Sequence, residues 1–333
     1  MFSFIVVVYN EEKTVLETLE SIKYQVKMYG KNQEFQLIIA DDKSEDKSRV
    51  VMDRWIKRNH SLFKVIDRLY YEENVGTCKN YVRALRCIKG EEFFSISGDD
   101  IIAQNNLFDK FELLNKYDVV LNSSLKFVDG GEVIDNKRDY FMISLQACMD
   151  YNYIRWATKL GSPVLNGAIY KKGLLTDEIL DYISKFDLVD DRPRYFKMFQ
   201  DKKLKVSYSN SPIILYRVSE WSVTNFTGRF SQRHNNDIIK LYDDIIKSEK
   251  SVFLKGIIKW QRDCYNLRGR KGFLGSLRFL SPYYAILFWK SLINARKVNA
   301  LSQRMVNDYL KVNTSYYRKL KEKAVLEKKY RNF

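Results

Sequence analysis

The chain has 333 residues, of which 45% are hydrophobic, 14% aromatic and 29% charged. That composition fills a core and excludes wholesale disorder, while 14 Gly and 4 Pro exclude collagen-like and low-complexity architectures. A net charge of +16 asks for an anionic partner, and two histidines (His60, His234) argue against histidine-based metal centres and His-relay hydrolases.

Phe2–Val8 is a continuous apolar run, as expected of a strand buried on both faces. Asn10 is placed to cap a helix in which Val15, Leu16, Leu19, Ile22 and Val26 recur at helical spacing. Phe35–Ala40 reads as a second strand ending at Asp41-Asp42, and 45–58 as a helix. A third strand over Leu62–Tyr71 precedes an Asn74-Val75-Gly76 turn and an amphipathic helix over 77–88. Phe93–Ser97 is a fourth strand ending at Gly98-Asp99-Asp100, followed by a helix over 104–115 and a short strand at Val119–Leu121. Repeated βα units predict a mostly parallel α/β sheet flanked by helices.

The polar punctuation follows the same order. Tyr9-Asn10-Glu11, Asp41-Asp42, Asn74–Gly76 and Asp99-Asp100 each follow a strand. Ligands bind beyond the carboxyl ends of strands in open α/β sheets, so these four clusters are expected to meet in one crevice. Carboxylates dominate it, and hard oxygen ligands suit Mg2+ or Mn2+ bridging to phosphate. Neighbouring strand residues point oppositely, so one of Asp99 and Asp100 is expected to ligate directly and the other through water or a ribose hydroxyl. Asp41-Asp42 either accepts hydrogen bonds from a base and ribose or forms a solvated turn. There is no Walker A or G-x-G-x-x-G pattern, so phosphate charge must be met by the metal and by Lys79 or Arg83.

Residues 1–225 carry 33 Lys and Arg against 33 Asp and Glu, and residues 226–333 carry 24 against 8. The whole excess sits in the last third, which places a boundary near 225 and separates a neutral body from a basic helical region. The four cysteines have no C-x-x-C spacing, the N-terminus lacks a basic leader, and no apolar run is long enough to span a bilayer. A cytoplasmic chain is expected. A nucleic-acid-binding protein also explains the charge, but not a balanced body with acids at four strand ends.

Taken together, "FIVVVYNEEKTVLETLESI", "LIIADDKSEDKS", "NVGTCKNYVRAL" and "FFSISGDDII" resemble, in order and spacing, the motifs of glycosyltransferase family 2, inverting enzymes of GT-A fold that use nucleotide-activated sugars. The resemblance covers residues 2–220. It implies a catalytic domain over 1–225, with a nucleotide-sugar half (1–120) and an acceptor half (121–225). It also implies a nucleotide-sugar role for Tyr9, Glu11, Asp41, Asp42, Lys79 and Asp99, the base being uracil, and metal ligation by Asp100 and Asp99. "DLVDDRPRYFKMF" matches the family's acidic motif and implies that Asp191 is the catalytic base, with Asn166, Gly167, Asp190 and Trp221 on the acceptor side. A helix N-terminus would also favour such acids. Three positions depart from the pattern: Val8 stands for Pro, Lys43 for Gly, and Ser97 for the first metal-motif Asp. These departures leave a catalytically impaired nucleotide-sugar-binding protein as the alternative reading. A sugar-phosphate nucleotidyltransferase would open with a Gly-rich basic loop, which is absent here.

In the basic region, Phe279–Trp289 is an eleven-residue apolar core too short to span but suited to an interface, with Tyr283, Tyr284 and Trp289 at headgroup depth. The tail 296–333 carries +8 of that excess, which anionic leaflets attract by about 1 kcal/mol per residue. A peripheral position on the inner membrane face, near a lipid-linked or polysaccharide acceptor of bacterial surface polysaccharide synthesis, follows as the expectation. The rival is a soluble helical subdomain with solvated basic faces and a buried Tyr/Phe core.

Overall fold

The computed structural model of the chain describes residues 1–129, 133–134, 140–141, 144–145, 148, 151–161, 167–201, 203–219, 231–267 and 276–329. Strands β1 (Phe2–Val8), β2 (Phe35–Asp41), β3 (Val65–Tyr70) and β4 (Glu92–Ser97) form one sheet in the order β3-β2-β1-β4, every pair parallel. The apolar run of β1 serves two cores. Phe2, Phe4, Val6 and Val8 pack on one face with α1 (Val15–Tyr29) and α2 (Ser48–Asn59), and Ile5 packs on the other with α3 (Thr77–Arg86). A strand sandwiched this way is apolar at nearly every position, and the one polar side chain, buried Ser3, donates its hydroxyl to Gln36 Oε1 at 2.7 Å.

A second sheet runs β5-β8-β6-β7, from β5 (Ile101–Ile102), β6 (Val119–Phe127), β7 (Ala168–Tyr170) and β8 (Val206–Arg217). It is mixed: β6 and β8 are parallel, while β5 and β7 run antiparallel to their neighbours. The expected three-residue strand at 119 is nine residues long because Asn122, Ser123 and Ser124 break the apolar pattern without breaking the strand. The ladder shifts register there, and buried Asn122 spends its amide on the carbonyls of Val120 and Gly167. The helix expected over 104–115 is one short turn, α4 (Phe108–Glu112), with a 3-10 turn behind it.

Beyond α5 (Tyr151–Ala157), α6 (Asp177–Ile183) and α7 (Asp191–Asp201), the basic region is helical: α8 (Ser231–Ser248), α9 (Val252–Asn266), α10 (Pro282–Arg304), a π-helical turn and α11 (Lys311–Lys329). Two expectations change here. Helix α11 is not a free basic tail, for it docks on the N-terminal body with Tyr316, Tyr317, Leu320 and Ala324 buried. Arg58 pairs with Glu327, and Asn313 accepts the N–H of Gln104. The interval Phe279–Trp289 is not one apolar segment either. Ser281 and Pro282 are buried and start a helix, with Pro in the first position, where its missing N–H costs nothing. Tyr283 lies against Gly161 and, with Tyr284, lines the central cavity; Phe288 and Trp289 are exposed.

Candidate active site

Parallel register brings the strand ends together. Val8 pairs with Asp41, Asp41 with Tyr70, and Val7 with Ser97, so four loops leave one sheet edge. Beyond that edge lies a cavity of about 1390 Å3. Its walls include Tyr9, Glu11, Asp42, Asp99, Asp100, Gly167, Asp190 and Asp191. The acids expected at widely separated places in the chain thus share one crevice. Asp41 and Lys79 are not among the residues that line it. Asn166 and Trp221, also expected there, lie outside the described residues.

The reasons are local. Asp41 is fully buried and accepts from the Ser44 N–H at 3.0 Å, the Ser44 hydroxyl and Arg49 Nε, which shapes the turn after β2. In that turn Lys43 has φ +60°, the left-handed conformation that costs a side-chain-bearing residue about 1–2 kcal/mol and that Gly adopts freely. Asn10, also left-handed at φ +59°, does not cap α1. Its Oδ1 accepts the Glu45 N–H at 2.8 Å, lashing the first loop to the second. Asp42 accepts the N–H groups of Val75 and Gly76 at 2.8 and 2.9 Å and so holds the third loop against the second. Burial raises its pKa, and those two amides offset part of the rise. On α3, Thr77, Asn80 and Tyr81 face the cavity, and exposed Lys79 falls on the other side of the helix.

The acid cluster is electrostatically loaded. Burial first, then the Asp99 charge, pushes the Glu11 carboxyl up to about 8. Burial likewise raises Asp99, and burial plus Asp99 holds Asp100 well above the usual carboxylate range. Desolvated carboxyls that raise one another in this way are relieved by a cation. Among the described residues, no three His, Cys, Asp or Glu side chains already surround one metal position. The oxygen donors of Asp99 and Asp100 are of the kind that suits Mg2+ or Mn2+.

Arg217 at the end of β8 organises this cluster and carries no role in the sequence reading. It is 2% exposed. Its backbone N–H donates to Asp100 Oδ1 at 2.9 Å, Nε donates to the Asp99 carbonyl at 2.7 Å, and the guanidinium pairs with Glu17 at 2.5 Å and with Asp129. Burial pulls its pKa down, and Glu17 and Asp129 outweigh that and hold it above normal. A buried position for Glu17 on the inward face of α1 was the available signal: a carboxylate there needs a cation.

Across the cavity, α7 begins at Asp191. Asp237 of α8 accepts the N–H groups of Asp187, Leu188 and Val189, fixing the segment that leads into it. Asp190 pairs with Arg194 at 3.0 Å, and Arg194 also donates to the Tyr81 hydroxyl at 2.7 Å. Burial raises the Asp190 pKa and Arg194 restrains it. Asp191 Oδ1 accepts the Arg192 N–H at 2.7 Å, and Asp191 makes no ion pair among the described residues. Of the two acids, Asp191 is the one whose charge is not already neutralised.

A sequence model of glycosyl transferase family 2 matches residues 3–175. The poly(ribitol-phosphate) beta-glucosyltransferase of Bacillus spizizenii is 28% identical over 130 residues, which are 38% of this chain and 19% of that protein, so the chain spans about a fifth of this relative's length. Staphylococcus aureus TarS 1-349 in complex with UDP-GlcNAc superposes with a TM-score of 0.56 at 17% identity, covering 95% of this chain and 91% of that one. The mannosyltransferase PcManGT of Pyrobaculum calidifontis, in complex with GDP-Man and Mn2+, superposes at 0.53 with 16% identity, covering 92% and 87%. At these identities the two structures establish the fold, which is the expected GT-A arrangement.

Proposed function

The chain belongs to glycosyl transferase family 2, and on that premise we propose that it is an inverting enzyme moving a sugar from a UDP-sugar to an acceptor hydroxyl. The acceptor is a lipid-linked or polysaccharide glycan of a bacterial cell surface. One observation carries this reading: Asp42, Asp99, Asp100 and Asp191 line a single cavity. The UDP-GlcNAc held by TarS supports the donor class, and the relative named for poly(ribitol-phosphate) supports a surface-polymer acceptor.

In the proposed reaction Asp42 and Tyr9 receive the nucleoside, and Glu11, Asp99 and Asp100 stand at the diphosphate. Asp191 takes the proton from the acceptor hydroxyl. That oxygen bonds to the anomeric carbon from the side opposite the diphosphate, the bond to the leaving phosphate oxygen breaks, and the configuration inverts. Asp99 and Asp100 would hold Mn2+ or Mg2+, which when bound supplies positive charge where the leaving group becomes negative. Arg217 keeps both acids in place, and the Arg194–Asp190 pair steadies the start of α7. A thermal-shift panel of nucleotide sugars with Mn2+ tests the reading, because a ligand that binds only the folded state raises the melting temperature. A UDP-sugar is expected to give the largest rise, and no response to any member of the panel would defeat the donor assignment.

The same reading places the chain on the inner face of the cell membrane as a peripheral protein. Among the described residues no helix is long and apolar enough to cross a membrane. Helix α10 instead exposes Phe288, Trp289, Leu292 and Ile293 on one side, within the region that carries the entire charge excess. Such a face suits insertion at headgroup depth. Flotation with vesicles containing anionic lipid is expected to carry the chain upward, and equal sedimentation with and without vesicles would remove the membrane from the account.

A further inference from the structure

Resting on the glycosyltransferase reading above, we propose that the acceptor side of the cavity contains an oxyanion site built on Arg192, so that the acceptor carries a phosphodiester or carboxylate close to its reacting hydroxyl. Arg192 directly follows the proposed base, is 9% exposed and lines the cavity. Its Nε and Nη2 have no hydrogen-bond partner. Those two atoms form one edge of the guanidinium fork, the edge that grips the two oxygens of a phosphate or carboxylate at once.

The other buried arginines of the site are answered from within the protein. Arg194 has Asp190 and Tyr81, and Arg217 has Glu17 and Asp129. Arg192 has the Tyr242 ring 5.0 Å away, a side-chain hydrogen bond with Tyr242 and the nearby charge of Asp191, but no ion pair among the described residues and no partner on the Nε–Nη2 edge. Burial pulls its pKa down, but Tyr242 and the field of Asp191 hold it above normal, so the group stays charged. A buried charge without a counter-ion is costly to the fold, and a ligand anion removes that cost. The surroundings are those of a cavity wall. Tyr242 spends its hydroxyl on the Leu160 carbonyl, and Tyr283 closes over Gly161, so Tyr242, Tyr283 and Gln261 make a wall suited to a polyol or sugar beside the anion.

Calorimetry on the full chain saturated with UDP and Mn2+ tests the site, because the nucleotide then blocks the donor side. The probes are glycerophosphoglycerol, glucuronic acid and glycerol, titrated into the wild type, Arg192→Met and Arg192→Lys, with melting curves to verify folding. One or both anions are expected to bind the wild type about 10- to 100-fold more tightly than Arg192→Met, the range for a lost charged hydrogen-bonding group. Arg192→Lys should be intermediate, neutral glycerol should bind weakly throughout, and UDP affinity should be the same in all three. The identity of the tighter anion tells phosphodiester from carboxylate. Equal anion binding by the wild type and the variants, or no anion binding to the UDP-saturated wild type, overturns the site. Failure of UDP itself to bind the wild type would overturn the donor reading, and this inference with it.

Discussion

Asp191→Asn is expected to lower turnover by about 10²–10⁴-fold, the usual contribution of a positioned general base, equivalent to about 3–5 kcal/mol of transition-state stabilisation. Asparagine keeps the size of the side chain and its oxygen, so it can still accept the Arg192 N–H and start α7. What it cannot do is accept the acceptor's proton. Donor binding, which depends on the loops beyond β1, β2 and β4, should remain at the wild-type level. The two readouts therefore separate: calorimetric affinity for the UDP-sugar unchanged, sugar transfer nearly lost. Asp190→Asn removes a carboxylate already neutralised by Arg194, so its cost should fall on stability more than on turnover. Near-normal turnover by Asp191→Asn would remove the base assignment.

Arg217→Met is expected to cost about 3–5 kcal/mol of stability, the penalty for removing one partner of a buried ion pair. The loss is large because Glu17, itself buried, is left without its partner. The variant also gives up the bond from Nε to the Asp99 carbonyl, so the loop carrying Asp99 and Asp100 loosens and nucleotide affinity should drop with the melting temperature. Arg217→Lys restores a charge but not the fork that reaches Glu17, Asp129 and Asp99 together, so it should rescue only part of either effect. A second substitution, Glu17→Leu, removes the stranded carboxylate. Urea denaturation of the double variant should recover part of the stability, whereas affinity should stay low. Full stability in Arg217→Met would show that the network is not what holds the cluster.

Much of this site was legible because its carriers are long and periodic. β1, β2 and β4 announce themselves as apolar runs, and each is followed by the polar residues that parallel pairing collects at one edge. The finer assignments were not legible because they depend on side-chain direction. Asp41 and Asp42 are adjacent and chemically identical. Only the fold turns Asp41 toward Ser44 and Arg49 and leaves Asp42 on the cavity wall. Lys79 lies three residues from the turn at Asn74–Gly76 that builds the site, yet a helix rotates it outward while Asn80 and Tyr81 face in. Arg192, Arg194 and Arg217 read in a sequence like any surface arginine, since burial leaves no mark on an isolated charged residue. How the basic tail packs was not legible either: buried Tyr316 and Tyr317 fasten one face of α11 to the body, while Arg318, Lys319 and Lys323 stay exposed.

The most direct test of the account is a structure of the chain with an intact UDP-sugar and Mn2+ bound, obtained with Asp191→Asn to slow turnover. The account predicts uracil on the Asp42 side, the diphosphate and cation at Asp99 and Asp100, and the anomeric carbon turned toward residue 191 across the same cavity. A nucleotide seated elsewhere, or one whose sugar points away from α7, would contradict it.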